Sequence, residues 1–304
     1  MKLCTFVPPG DMKGASKLGV LEEDEVVGVS SAAGMLAFLE SGLSLKSLKK
    51  GRAYPLARSK LLAPVPRPGK ILATIVNTQA MLGGDDVKLD RPRLDMKAPS
   101  TVIGPGETVW APASGVRPEV ELAAVIGRRI AGASPAQAKK AIFGYTILND
   151  VTAPGDSRED AYEAYRRDPG TGLVSKRTMR GPLFRSKNHD TFCPMGPWVV
   201  SADELSATSE LRMSTWFRGT TIQEGSTRDY LFPPEEIASY VSGFLTLDPG
   251  DVVSCGSIGW TGLGNDGDPS EFVLPPQEGT IEVAISGIGT LGNPVKKLAR
   301  RQSG

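Results

Sequence analysis

The sequence predicts an α+β protein dominated by strands, and three observations carry that expectation. Apolar runs such as KILATIV, VELAAVIG, AIFGYTIL, GPWVV, DVVSCG and TIEVAISGIG are short, rich in Val, Ile and Thr, and bounded by Gly or Pro, as strands are. Thirty-five glycines and twenty-four prolines among 304 residues suit many turns between strands better than a helical bundle. Helical patterns occur only as punctuation between the apolar runs.

Taken in order, Lys2 to Val7 and Glu25 to Val29 read as strands, and SAAGMLAFLESG reads as a helix stopped at Gly42. The stretch LLAPVPRPGK (61–70) carries three prolines and reads as an extended linker. It divides the chain into a small N-terminal α/β module, residues 1–60, and a β-rich domain, residues 61–304. Ser134 and Pro135 open SPAQAKKA as N-cap and first helical residue. SREDAYEAYRRD (157–168) has the spacing of an amphipathic helix, and PPEEIASYVSGF (233–244) begins with the prolines and acids that favour a helix N-terminus.

The formal charge of +1 gives no global field toward nucleic acid or an anionic membrane, and few aromatic residues are available to stack on bases. The terminal cluster Lys296, Lys297, Arg300, Arg301 reads as a solvated tail. Cys4, Cys193 and Cys255 are odd in number, far apart and without CxxC spacing, which fits reduced thiols in a cytoplasm. The start MKLCTFVPPG reaches proline before an apolar signal region can develop, and nowhere is there an apolar run of membrane-spanning length. The expectation is a soluble cytoplasmic protein acting on a small molecule.

The segment Pro118-Glu119-Val120-Glu121-Leu122-Ala123-Ala124-Val125-Ile126 is the most informative. As a strand it places Glu119 and Glu121 on one face and Val120 and Leu122 on the other, and the apolar run that follows says the strand enters a core. Two carboxylates near buried surface repel each other and are expensive to desolvate, and a cation between them resolves both problems. Asp150 ends AIFGYTILND, where a central strand delivers its last side chain to a sheet rim. Three oxygen ligands with no His or Cys beside them suit a hard cation, hence Mg²⁺, with Mn²⁺ or Ca²⁺ as alternatives. An exposed edge strand paired with lysines produces the same ExE string.

Six strings then occur in order: MKAPSTVIGPGETVWAP, RPEVELAAVIG, GYTILNDVTA, KNHDTFCPMGPWVV, LTLDPGDVVSCGS and GTIEVAISGIGTLGNPV. With LLAPVPRPGKIL before them, the chain from about Leu61 to Val295 resembles the fumarylacetoacetate hydrolase family. The resemblance implies a mixed β-roll catalytic domain, usually dimeric, with a divalent metal on Glu119, Glu121 and Asp150 and with Lys187 beside it. It implies a substrate that chelates the metal through a 2-oxo carboxylate or a β-diketone. It places Asn77 at the lid as a substrate-binding residue, Gln223 facing the substrate, and Gly256 and Ser257 in a turn that binds substrate oxygens. The activity implied is hydrolysis of a C–C bond in an acylpyruvate- or fumarylacetoacetate-like compound. Decarboxylation, hydration or isomerisation of a 2-oxo acid is the alternative, and a catalytically inactive binding relative stands behind both.

The departures bear on that choice. Hydrolytic members carry Asn-Tyr-x-x-His-x-x-Glu, whereas this chain reads Asn77-Thr78-Gln79-Ala80-Met81-Leu82-Gly83-Gly84, with Met81 in place of the histidine and Gly84 in place of the glutamate. Asp85 or Asp86 are the nearby carboxylates that a shifted lid offers instead. Pro154 replaces the arginine that usually follows Asn-Asp-Val-Thr-Ala, and a longer segment precedes Lys187. The single histidine, His189, follows Lys187 by two residues, so in an extended segment both face the metal and the imidazole is a candidate base. Packing against a neighbouring carbonyl is its other reading. Arg177, Arg180 and Arg185 are candidates to grip a second substrate carboxylate, or simply solvated arginines.

Three other strings lack their context. Gly287-Ile288-Gly289-Thr290-Leu291-Gly292 matches GxGxxG but is followed by Asn293-Pro294 and no helix. NDGD at 265–268 lacks the EF-hand spacing, and no GxSxG elbow presents a serine to His189.

Overall fold

The structure is a computed structural model that describes residues 1–11, 14–82, 86–205, 210–260 and 273–298. Among these residues the strands form one large sheet, one five-stranded sheet and one isolated two-stranded ribbon. The large sheet runs in the order Lys50–Pro55, Glu25–Val29, Lys17–Glu22, Lys2–Val7, Cys193–Ser201, Ile142–Asn149, Val120–Ile126, Val252–Ser257, Ile71–Val76, Arg93–Lys97. The five-stranded sheet runs Thr220–Ser226, Arg212–Phe217, Gly279–Ile285, Gly289–Lys297, Val109–Ala111. Parallel and antiparallel pairings mix: Val252–Ser257 is antiparallel to Val120–Ile126 but parallel to Ile71–Val76. This is the β-rich, mixed-sheet α+β fold expected from the sequence.

The N-terminal strands continue the large sheet. Lys2–Val7 pairs antiparallel with Cys193–Ser201 on one side, and Lys60–Leu62 also pairs with it. Leu3, Leu18 and Val20 therefore share a core with Ala123, Val125, Leu148 and Val199.

The central strand Val120–Ile126 is buried along its whole length because each of its faces meets a different core. Val120, Leu122, Ala124 and Ile126 enter the core between the two sheets, whereas Ala123 and Val125 face the core beneath the N-terminal strands. A period-two side-chain alternation sends Glu119 and Glu121 to the second face.

Three helices begin or end at recognisable capping signals. Pro135–Ala141 begins with a full capping box, the Ser134 hydroxyl accepting from Gln137 N while the Gln137 side chain accepts from Ser134 N. Met35–Ser41 ends at Gly42 in the left-handed conformation, and Pro234–Ser242 carries Glu235 and Glu236 in its first turn. Among the described residues no helix is long and apolar enough to cross a membrane.

One expected helix is corrected. Of residues 157–168, only the start belongs to a helix, Pro154–Glu159; Tyr162–Arg167 is a strand paired in register with Val174–Met179, Tyr162 opposite Met179 and Arg167 opposite Val174. The reason is the turn DPGTG. The Asp168 carboxylate accepts from Gly170 N at 3.0 Å and Thr171 N at 2.9 Å, and Gly172 takes φ 72°. Ion pairs Glu163–Lys176 and Asp168–Arg177 then link the two strands. A sequence-adjacent partner strand outweighs the helical spacing of one strand alone.

Candidate metal centre

The centre is built by strand register. Val120 pairs with Asn149, so Asp150, the next residue, arrives beside Glu119; its amide donates to Glu119 O at 2.9 Å. The Asn149 side chain completes the joint, its Oδ1 accepting from Glu119 N at 2.9 Å. Carboxylate oxygens of Glu119, Glu121 and Asp150 all lie within 4.8 Å of one another, and all three residues are buried.

Two lysines close on this cluster. Lys187, the last residue of the short helix Phe184–Lys187, places Nζ 2.8 Å from Glu119 Oε2 and 2.5 Å from Asp150 Oδ2. Lys97, at the end of the strand Arg93–Lys97, is fully buried and places Nζ 2.6 Å from Asp150 Oδ1. Its ammonium also donates to Lys187 O at 2.7 Å and Val151 O at 3.2 Å. Arg117 approaches Glu119 Oε1 through Nε at 3.3 Å while its guanidinium stacks on Trp260, and Thr152 Oγ1 donates to Glu119 Oε2 at 3.1 Å.

The charges are unevenly served. Burial works against the Asp150 carboxylate, but Lys187 and Lys97 override it and hold its pKa below the ordinary value. Burial likewise disfavours the Lys187 ammonium, yet the charges of Asp150, Glu119 and Glu121 outweigh that and raise its pKa, so it stays protonated. Glu121 is different. Burial, then the charge of Asp150, push its carboxyl well above the ordinary range, and its direct partner is the Ser254 hydroxyl rather than an ion pair among the described residues. A buried carboxyl with no direct ion pair among the described residues, grouped with two others and with no soft ligand, suits the donor set of a hard divalent cation. The residues present fit such an ion.

The other sequence-derived candidates fall into two groups. Asn77, Gln223, Gly256 and Ser257 come together beside the strand that Glu119 and Glu121 open. Asn77 Nδ2 donates to Cys255 O at 2.7 Å and Phe232 O at 2.9 Å, and its Oδ1 accepts from Phe232 N. Gly256 sits at φ 86°, and a Cβ there would lie 2.9 Å from Asn77 Cβ, so the turn requires glycine twice over. Gln223 is fully buried with all four hydrogen-bonding positions occupied: Nε2 donates to Ser257 Oγ and Ile258 O, both at 2.9 Å, while Oε1 accepts from Val120 N and Thr215 Oγ1. Ser257 Oγ in turn donates to Val120 O at 3.2 Å.

His189 is not gathered with the three acids. The segment is not extended there: a helical turn ends at Lys187, and the His189 ring turns to Asp156, Nε2 to Oδ2 at 2.5 Å, packing on Phe192. Met81 lies half-buried in the four-residue helix Gln79–Leu82; Gly84 and Asp85 lie outside the described residues, and Asp86 is exposed. Arg177 is exposed on the ribbon with Asp168, Arg180 is exposed, and Arg185 pairs with Glu159 and Asp160.

Sequence reasoning passed over Lys97, Ser254, Thr152 and Asp156. Lys97 stands in the quoted string MKAPS, but nothing local separates a buried lysine from the other 34 of the chain's 35 Lys and Arg residues. Thr152 had a usable signal, since it lies two residues beyond Asp150 in NDVTA.

The fumarylacetoacetate (FAA) hydrolase C-terminal family model matches residues 73–296. The chain is 34% identical over 259 residues to Protein Rv2993c of Mycobacterium tuberculosis, covering 82% of this chain and 83% of that protein. It is 32% identical over 249 residues to the oxaloacetate tautomerase YisK of Bacillus subtilis, covering 80% and 75%. Among solved structures, the maleylpyruvate hydrolase from Sphingobium sp. SYK-6 in complex with manganese(II) ion and pyruvate superposes with a TM-score of 0.71 at 26% identity, covering 98% of this chain and all of that one.

Proposed function

We propose, given that the chain belongs to the fumarylacetoacetate hydrolase family, that it is a divalent-metal enzyme acting on a small anionic 2-oxo acid or β-dicarbonyl. Its first reaction in this reading is keto–enol proton transfer on an oxaloacetate-like substrate, the proton lost from carbon passing to water as one returns from water to the carbonyl oxygen. The observation that carries the reading is the buried cluster of Glu119, Glu121 and Asp150 faced by Lys97 and Lys187. Glu119, Glu121 and Asp150 would hold Mg²⁺, with Mn²⁺ or Ca²⁺ as substitutes. When bound, such an ion supplies a Lewis acid that polarises a substrate carbonyl. Three carboxylates face Lys97, Lys187 and Arg117, so an added divalent cation leaves excess positive charge for an anionic substrate to offset.

Lys187 keeps its proton and points Nζ into the cluster, which suits it to donate to a substrate oxygen as negative charge develops there. Lys97 holds Asp150 ionised and anchors the Lys187 carbonyl. Asn77, Gln223, Gly256 and Ser257 are proposed to shape the substrate side, Gln223 by bracing Ser257. Tautomerisation takes precedence over hydrolysis because Met81 can neither accept a proton nor orient water, and because a relative is an oxaloacetate tautomerase.

One observation favours a second, hydrolytic reading on acylpyruvates. His189 held by Asp156 is a carboxylate-oriented imidazole, the arrangement of a general base. In that reading His189→Ala lowers acylpyruvate hydrolysis by about two to four orders of magnitude and leaves metal binding intact. A cytoplasmic homodimer is part of the proposal.

The decisive experiment follows the ultraviolet absorbance of enol-oxaloacetate with metal-loaded, chelator-stripped and Glu121→Gln protein. Conversion faster than with free Mg²⁺ in buffer is expected only with the first. A rate equal to that of free Mg²⁺ in buffer would sink the tautomerase reading.

A further inference from the structure

Lys187 has to be held within hydrogen-bond distance of two carboxylates by a helix of only four residues, Phe184–Lys187. So short a helix has no stability of its own. It also follows a long excursion: the chain leaves the centre in the helix Pro154–Glu159, runs out and back through the exposed ribbon Tyr162–Met179, and returns. Something outside the helix must fix where it lands.

Asp156 occupies that position. Its side chain is almost wholly buried on the helix Pro154–Glu159, yet it contacts residues on both sides of Lys187. Oδ2 meets His189 Nε2 at 2.5 Å and lies 3.8 Å from Arg185 Nη1, while the Asp156 carbonyl accepts from Arg185 Nη2 at 3.0 Å. Oδ1 accepts from Ser114 Oγ at 2.9 Å, which ties the carboxylate to the body of the domain. One turn earlier, Ala153 N donates to Ser186 O at 2.8 Å, so the two short helices are joined next to Lys187 as well. Where the ribbon closes, a Cβ on Gly181 would lie 2.6 Å from Asp160 and 2.7 Å from Ser157 O, so the two chain segments run in contact.

We propose that Asp156 is a positioning residue for Lys187: by holding Arg185 and His189, it sets the Lys187 ammonium against Glu119 and Asp150 and isolates it from motion of the ribbon. The metal-facing acids need no such help, since they stand at the ends of paired strands of the large sheet. The inference rests on the proposed role of Lys187 only in its kinetic consequence; the positioning itself is independent of any reaction.

The test measures Lys187 directly. Lysine acetylation by acetic anhydride, read residue by residue by peptide mass spectrometry, reports how often a buried amine opens. A hydrogen bond to a charged group is worth a factor of about 10 to 100 in such an opening. Asp156→Asn is therefore expected to label Lys187 about 10- to 100-fold faster than wild type, with labelling of Lys70, a partly buried lysine paired with Asp251 away from the centre, unchanged as internal control and Mn²⁺ affinity, by calorimetry, within about twofold. Arg185→Gln combined with His189→Gln, which leaves Asp156 in place, is expected to do the same and covers failure of the first variant to fold. In turnover, Asp156→Asn is expected to lower kcat more than it raises KM, and to have no further effect in a Lys187→Met background. Wild-type Lys187 labelling in both variants, equal acceleration at Lys70, or loss of Mn²⁺ binding each overturns the assignment. Faster Lys187 labelling together with wild-type turnover of Lys187→Met would leave the positioning standing and remove the proposed role of Lys187 in the reaction.

Discussion

Replacing Glu121 by glutamine in metal-stripped protein should abolish a pH dependence that the wild type shows. Glu121 is 1% exposed, meets the Ser254 hydroxyl, and has its pKa raised by burial and by Asp150. A carboxyl whose folded pKa lies above its unfolded value of about 4.3 keeps a proton in the native state that the unfolded state has already released. Its contribution is complete below about pH 4.3 and is lost as pH rises toward the folded pKa. Each pH unit in that interval removes about 1.4 kcal/mol for one proton. With about 2 cal/mol/K of unfolding entropy per residue, a chain of this length converts that loss into a fall in Tm of about 2 °C per pH unit. Asp150, whose pKa is lowered, acts outside the interval, since its contribution is lost only as pH falls below the ordinary carboxylate range. Lys187, whose pKa is raised, loses its contribution only in strongly alkaline solution. Thermal melts in chelator from about pH 5 upward should therefore slope downward for wild type until the folded pKa is reached, and stay flat for Glu121→Gln. The amide still accepts from Ser254 and has no charge to desolvate. Saturating Mg²⁺ should remove the wild-type slope by stabilising the ionised form. Equal slopes for the two proteins in chelator would refute the idea that Glu121 is an unpaired buried acid awaiting a cation.

Three further outcomes are expected. Lys97→Met leaves Asp150 with one counter-charge in place of two and should destabilise the protein by about 3–5 kcal/mol in urea unfolding, the loss typical of breaking a buried ion pair; a loss below about 1 kcal/mol would show that Lys187 alone suffices. Gln223→Leu strands Val120 N, Ile258 O and the Thr215 hydroxyl, and should lower stability by about 1–3 kcal/mol for each group left unsatisfied, whether or not metal is bound; a stable variant with impaired substrate binding alone would instead mark Gln223 as a substrate ligand. Sedimentation velocity at micromolar concentration should report a dimer, and a monomer there would remove the homodimer from the proposal.

Part of this protein was readable residue by residue. The strand Val120–Ile126 and the shared face of Glu119 and Glu121 follow from alternation, a local property with a period of two. Asp150 was legible because a long apolar run must end at a sheet rim, and the helix Pro135–Ala141 because Ser134, Pro135 and Gln137 cap it locally. The ribbon was not legible from residues 157–168 by themselves, because their conformation depends on a turn and a partner strand that follow them. Lys97 and Asp156 were invisible for a stronger reason. A lysine looks alike in sequence whether it is solvated or fully buried, and only the pairing of Arg93–Lys97 at the end of the large sheet carries this one to Asp150. Likewise Asp156 meets His189 across 33 positions of chain because two short helices close the base of the ribbon. Periodicity and capping are written within a few residues, so sequence alone determined the central strands, the capped helices and the clustered acids. Counter-charges and positioning contacts join residues far apart along the chain, and register and packing alone decide which of them meet.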